Sequence, residues 1–458
     1  MEEIRFIAAG GSLGGAGVYK ESLREAMQYE PHFLAQDCGS TDNGPYYLGS
    51  GKPLSSRESM RHDVDLVLGA GLDLGVPVLI GSSGTAGADV QVDWMADIVK
   101  EIGQKRGRKI RTAVIYAEQD KAYLTAKLRD GRIEPLHAAP HFDEATIARS
   151  VRIVGMMGTE QLQKGLAGGV DLVLAGRCSD AALFAALPIS KGFPAGLAWH
   201  AGKLLECGTM VCESKGKGVM LARLRQDELI VEPVGDNLRC TPQSIAAHSL
   251  YENSDPYLHP ECSGTLDLTD SKYEPSGERG VRITGSRFHN ADRYSVKLEG
   301  AELIGYQTIF MCGIRDPYII ENLDVWIAEC EVVIHDLIRR FYSGAITPSD
   351  YKLTYKAYGR DAIMGRLDPD RKTVPHEIGL LVEVTAANQE LATKVATSAA
   401  KRLLHHPIYK WKGAITGIAF AHNPPEIERG PVYRFTTNHI VLPDDPHEMF
   451  RTEFVELG

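Results

Sequence analysis

The first half of the chain alternates short apolar runs with longer stretches in which apolar residues recur every three or four positions. Strands are predicted at 4–9 (IRFIAA), 33–36, 76–80 (VPVLI), 111–116 (RTAVIY), 151–155 (VRIVG) and 170–175 (VDLVLA). Helices are predicted at about 17–29, 57–74, 89–104, 119–129, 159–168 and 179–187. Strand-sized apolar runs separated by helices are the sequence form of a parallel sheet with helices on its faces. The expected fold class is therefore α/β, with a doubly wound, mostly parallel, Rossmann-like sheet over 1–195. From 196 to 320 the pattern changes to β-rich stretches (GVMLARL, LIVEPV, GVRITGSRF, SVKLEGAELIGYQTIF) broken by turns, which marks a second, β-rich domain. A helix over about 321–342, a strand over 377–385 and an amphipathic helix over 388–405 predict a small α+β C-terminal domain, 321–458. A length of 458 residues agrees with several cores rather than one.

Composition narrows the function. Apolar residues make up 43% and charged residues 24%, ordinary globular usage, and a net charge of −10 leaves no electrostatic footprint for nucleic acid or anionic lipid. A small-molecule partner is expected instead. The opening MEEIRFIAAGG carries an acidic pair where a secretory signal would be basic, and the apolar runs are strand-sized, so a cytoplasmic protein without a membrane span is expected. Eight cysteines without a CxxC spacing fit reduced thiols, Cys207 and Cys212 being the closest pair. Self-association follows from base rates for an enzyme of this size.

Five of the six predicted strands run directly into glycine, serine or acidic loops: GGSLGGAG, DCGSTDNG, GSSGTAGAD, AEQD and GRCSD. In open parallel sheets ligands bind outside the carboxyl ends of the strands, so these loops are expected to meet at one crevice. GGSLGGAG, with Gly11 and Ser12, lets backbone approach an anion closely, or serves as a tight turn. It matches neither GxGxxG nor GxxxxGK[ST]. The second loop, read as running on through Tyr47, holds Asp37, Ser40, Thr41, Asp42, Tyr46 and Tyr47. Carboxylates and phenols in a dry crevice suit proton abstraction and return, while the same acids and hydroxyls also suit an Asx-turn network. Asp37 also stands about 20 residues after the glycine loop, where a dinucleotide fold keeps its ribose-binding acid. Ser82, Ser83 and Thr85 read as an anion cradle, or as helix capping. Glu118 follows the fourth strand. Arg177 and Asp180 follow the sixth, where an arginine suits bidentate recognition of a carboxylate or simply pairs with the aspartate. Glu206 beside Cys207 offers a thiol next to an acid, or a buried inert cysteine. His137 and His141 have ligand spacing, but Pro135 and Pro140 disfavour the helix that would align them, and no cofactor is implied by a metal or dinucleotide motif.

The segments DCGSTDNGPYYLGSGK, SSRESMRHDVDLVL, PVLIGSSGTAGAD, LAGRCSDAALF, HAGKLLECG and YSVKLEGAELIGYQTIFMCGIRDP resemble the acyclic terpene utilization (AtuA-like) family, in the branch found with a short companion protein. Many relatives carry valine where this chain has Cys178, which leaves Arg177 and Asp180 in place. The resemblance implies catabolism of branched or terpenoid acyl-CoA compounds or small organic acids, and a companion subunit. It names a pathway rather than a reaction.

The residues themselves lead to a lyase, of hydro-lyase type, acting on a hydroxylated or unsaturated carboxylic acid or its CoA ester. Arg177 and the Ser82–Thr85 cradle would hold the anion, Asp37 or Asp42 would take the proton, and Tyr46 or Tyr47 would assist the leaving hydroxyl. A nucleotide-dependent enzyme (NAD or CoA) and a non-catalytic subunit of an acyl-CoA-processing complex stand as the alternatives.

Overall fold

The computed structural model describes residues 2–15, 17–214, 216–407 and 416–458, so Ala16 of the first glycine loop lies outside the described residues. The chain divides into two compact units, Met1–Glu302 with Phe435–Gly458, and Leu303–Arg434.

The first unit is built on a ten-stranded sheet. Its centre is five parallel strands, in spatial order Ile4–Ala8, Phe33–Asp37, Val78–Gly81, Leu172–Ala175 and Ile110–Ile115. These strands read as unbroken apolar runs because both of their faces are covered. Phe6, Phe33, Leu79, Ile115 and Val173 pack on one face with Phe184 and Trp199, from helices Ala182–Ser190 and Ala195–Leu205. Ile7, Leu34, Val78, Ile80, Leu172 and Leu174 pack on the other. There they meet Val64 and Val67 of helix Arg57–Leu74 and Met95 and Ile98 of helix Asp89–Arg106. Both long helices end on a left-handed glycine, Gly75 and Gly107, as expected where the last carbonyls need a partner and a side chain would be strained.

The sheet as a whole is mixed. Gly218–Leu224 runs antiparallel to Ile4–Ala8 and continues through Leu229–Gly235, Gly280–Thr284 and Lys272–Ser276, while Thr452–Leu457 closes the other edge against Ile110–Ile115. The β-rich middle region also forms a three-stranded antiparallel sheet from Leu258–Glu261, Gly264–Asp267 and Arg287–Asn290.

Two local expectations are corrected. The strand at Arg152–Met156 does not join the parallel sheet; it pairs antiparallel with residues 297–301 at the start of Val296–Ile314. An apolar run specifies a strand but not its partner, and this partner lies far along the chain. The segment after the DCGSTDNG loop is a short helix, Pro45–Ser50, begun by a proline whose missing N–H costs nothing at a helix start.

In the second unit, strand Ile378–Ala386 runs antiparallel to both Tyr351–Tyr358 and residues 306–314. Alternate residues of Ile378–Ala386 are buried, because helices Leu323–Phe341 and Gln389–Leu404 cover one face. Trp326 is wholly buried, and its indole N–H donates to the His406 carbonyl at 3.2 Å. Among the described residues no helix is long and apolar enough to cross a membrane.

Candidate active site

The loops that follow Phe33–Asp37 and Leu172–Ala175 open onto a cavity of about 250 Å³. The first loop brings Ser40 and Asp42 to its wall and the second brings Arg177, Ser179 and Asp180. The end of helix Ala195–Leu205 adds Lys203 and Glu206. The β-rich region adds Glu252, His259 and Glu261, and the strand Val296–Ile314 adds Lys297. Carboxylates outnumber cations on this wall.

Arg177 is the hub. Its Nε donates to Glu299 Oε2 at 2.7 Å and its Nη2 to Glu299 Oε1 at 3.4 Å. Its Nη1 donates to Ser82 Oγ at 3.1 Å, to the Cys178 carbonyl at 2.8 Å and to Asp180 Oδ1 at 3.0 Å. Arg177 and Glu299 are each 5% exposed, so this is a desolvated, multiply hydrogen-bonded ion pair. Burial pushes the Glu299 carboxyl up, but the guanidinium outweighs it and holds the group below its ordinary value.

The remaining acids shift the other way. Burial, with repulsion from neighbouring carboxylates, raises Asp37 well above its ordinary range, and burial raises Asp180. Burial also pushes Glu206 up to about 7, against the pull of Lys203, whose Nζ donates to Glu206 Oε1 at 2.8 Å. Glu261 is pushed up to about 8, again by burial, and its buried Oε2 has no hydrogen-bond partner. Two carboxyl groups on one cavity wall therefore exchange protons near neutrality, which is the requirement for acid–base work at physiological pH.

The other residues singled out in the sequence fall around this cavity in distinct ways. Asp37 is buried at its strand end, with Oδ2 accepting the Gly39 N–H at 2.7 Å and Oδ1 unpartnered. Thr41 hydrogen-bonds Glu299, and Ser40 Oγ accepts the Asp42 N–H at 3.1 Å, a local turn of the kind the loop composition suggests. Ser83 Oγ donates to the Ala175 carbonyl at 2.8 Å, tying two strand ends together. Thr85 is buried at φ +110° with its hydroxyl unpartnered. Tyr46 and Tyr47 pack edge to face in the short helix and are not on the cavity wall.

The first glycine loop is occupied by the protein itself. Asp63, 2% exposed, accepts the N–H groups of Gly14 at 2.8 Å and Val18 at 3.1 Å, while Gln36 Nε2 donates to the carbonyls of Gly10 and Gly11. Gly11 and half-buried Ser12 thus sit in a loop packed against the Cys207 carbonyl. The Cys207 sulfur lies 3.1 Å from the Tyr251 hydroxyl, and burial pushes its thiol up to about 11, which keeps it neutral. Glu118 faces a separate hollow with Asp120 and Arg451, accepts the Asp89 N–H at 3.0 Å and pairs with Arg152 at 3.3 Å. His141 pairs with Asp143, and no group of three or more potential metal ligands is present among the described residues.

Lys203, Glu252, His259, Glu261, Lys297 and Glu299 were not anticipated. The i,i+3 spacing of Lys203 and Glu206 at a helix end was the one available signal. The others arrive from strands and loops of the β-rich region, where nothing local distinguishes them.

No curated protein and no solved structure matches the chain. A family model described as acyclic terpene utilisation family protein AtuA matches residues 84–421, a span that includes Arg177, Lys203, Glu206, Glu261 and Glu299. The match covers more than half of the sequence, and the chain belongs to the acyclic terpene utilisation AtuA family.

Proposed function

We propose that the protein is a lyase of hydro-lyase type, which removes water from, or adds it to, a small or branched hydroxylated or unsaturated carboxylic acid in acyclic terpene catabolism. The observation that carries this reading is the pair Glu206 and Glu261, on one polar wall and poised at about 7 and about 8. Lys203 favours the anion of Glu206, which suits it to take a proton from carbon. Glu261, protonated at neutral pH with a free buried oxygen, suits delivery of a proton to the departing hydroxyl. The C–H electrons become the new double bond, the C–O bond breaks, and water leaves. Asp42, on the same wall, is the second base candidate.

Lys297, on the wall and 3.5 Å from Glu299, is the cation assigned to the substrate carboxylate, because Glu299 is already held more closely by the buried Arg177, at 2.7 Å, and Arg177 is matched further by Asp180. Arg177 then acts as a positioning residue, holding the two loops in register. A volume of about 250 Å³ suits a short acid, or the acyl end of a thioester, better than a whole CoA ester. Asp63 already fills the N–H cradle of the first glycine loop, which weighs against a dinucleotide there.

The test is proton NMR in D₂O with a panel of short 2- and 3-hydroxy acids, the matching enoic acids and their CoA esters. Interconversion with deuterium incorporation, without added nucleotide and lost in Glu206→Gln and Glu261→Gln, is expected. Absence of exchange across the panel, or turnover that requires a nicotinamide nucleotide, would overturn the reading. The same reading makes the protein a cytoplasmic homo-oligomer working with a short companion chain. Sedimentation of the protein alone and after co-expression tests both associations.

A further inference from the structure

Cys212 and Cys240 are 28 residues apart in sequence, yet their sulfurs stand 3.7 Å from each other. All eight cysteines are free, and Cys207, the nearest to Cys212 in sequence, turns its sulfur to Tyr251 instead. The backbones beside the pair are laced together. Glu213 N–H donates to the Arg239 carbonyl at 2.9 Å, Ser214 Oγ donates to the Asn237 carbonyl at 2.6 Å, and Ser214 Oγ accepts the Arg239 N–H at 3.1 Å. On the far side the Cys240 N–H donates to the Arg279 carbonyl at 2.9 Å. The sulfurs are thus held close by a fixed frame, and a disulfide of about 2.05 Å requires them to approach further from 3.7 Å. Cys212 is half-buried and reachable by a small reagent, whereas Cys240 is 2% exposed.

We propose that Cys212 and Cys240 are a redox modification site that closes reversibly to a disulfide under a peroxide or a small disulfide such as oxidised glutathione. With hydrogen peroxide, the Cys212 thiolate takes one peroxide oxygen, giving a sulfenic acid and, after protonation, one water. The Cys240 sulfur then attacks the Cys212 sulfur; the S–S bond forms, and the sulfenic hydroxyl leaves with the Cys240 proton as a second water. The two thiols lose two protons and two electrons, which the peroxide takes up; with oxidised glutathione, Cys212 displaces one glutathione thiolate to form a mixed disulfide, Cys240 displaces the second, and the protons and electrons end on two glutathione thiols. Entry is through Cys212, because its hydrogen bond and burial keep Cys240 a neutral thiol.

The location gives the bond a consequence. Cys212 ends the turn Gly208–Val211 that follows Glu206 and Cys207, and a Cβ on Gly208 would overlap the backbone of Gly10 and Gly11. The turn is therefore packed tightly on the first glycine loop. A crosslink would stiffen it and, by closing a long loop in the unfolded chain, would raise thermal stability.

The experiment treats the full-length reduced protein with hydrogen peroxide or oxidised glutathione, blocks free thiols, and maps peptides by mass spectrometry without reduction. A single crosslink joining the Cys212 and Cys240 peptides, with loss of two hydrogens and a thermal midpoint raised by several degrees, both reversed by reductant, is expected. Cys240→Ser should instead accumulate a sulfenic acid or glutathione adduct at Cys212 without the midpoint rise. Cys212→Ser, at a half-exposed position and so tolerant of the change, should leave Cys240 unmodified. An unmodified Cys212 in the parent, a Cys207–Cys212 crosslink, or a stoichiometric soft metal ion on the purified protein would overturn the proposal.

Discussion

Arg177 grips Glu299 through Nε at 2.7 Å and Nη2 at 3.4 Å, across 122 residues of sequence, with both side chains buried. The pair joins the loop after a parallel strand to a strand of the antiparallel region, so it fixes one side of the cavity to the other.

Arg177→Gln or Glu299→Gln alone should therefore cost about 3 kcal/mol, because each leaves a buried charge with only its secondary partner, Lys297 at 3.5 Å for Glu299 or Asp180 at 3.0 Å for Arg177. The double change to Met and Leu should recover part of that loss. Urea unfolding of the three variants checks both statements. Equal losses in single and double variants would show that the charge pairing is not what the site depends on.

The raised carboxyls make stability depend on pH with a definite sign. Glu206 and Glu261 titrate at about 7 and about 8 in the folded protein against an ordinary value of 4.5, so the folded state binds more protons between these limits. Their contribution is fully present below pH of about 4.5 and is lost as pH rises toward about 8. Unfolding free energy measured across this window should fall with pH, and fall less steeply in Glu206→Gln/Glu261→Gln. An unchanged slope in the double variant would contradict the raised values.

Asp63 serves the first glycine loop as its own anion, holding the Gly14 and Val18 N–H groups. Asp63→Ala strands both donors and should destabilise the fold by about 2 kcal/mol or more. Hydrogen exchange should locate the loss at the loop, with faster exchange at Gly14 and Val18. Uniform protection across the loop in the variant would sink the assignment.

Gly87 lies at φ +66°, and a Cβ there would overlap the backbone nitrogen of Arg177. Gly87→Ala combines left-handed strain of about 1–2 kcal/mol with that steric clash. It should displace Arg177 and lower the unfolding midpoint, whereas Gly107→Ala, with open space around its Cβ, should cost only the strain. Thermal unfolding of the two variants side by side makes the comparison.

Much of the fold was readable in the chain. The five central strands and the helices between them were located to within a few residues, because strands buried on both faces appear as uninterrupted apolar runs and their helices carry a clear period. The strand at Arg152–Met156 was visible as a strand, but its pairing was not. The cavity was half legible. Asp42, Arg177, Asp180 and Glu206 sit at strand or helix ends, where position alone suggests chemistry. Glu261, Lys297 and Glu299 lie in strands of ordinary composition and carried no such mark.

The periodicity of apolar residues, together with glycine and acidic loops at strand ends, determined by itself the class of fold, although among the described residues only two of the five loops expected to meet, those after Phe33–Asp37 and Leu172–Ala175, line the cavity. Those signals are local, since they depend on backbone geometry and on which face of an element is wet. Only the tertiary structure decided which charges meet and how they titrate. Burial and pairing at Arg177, Glu206, Glu261 and Glu299 arise from segments brought together over distances in sequence that no local pattern spans, and desolvation by those segments is what moves a carboxyl toward neutrality.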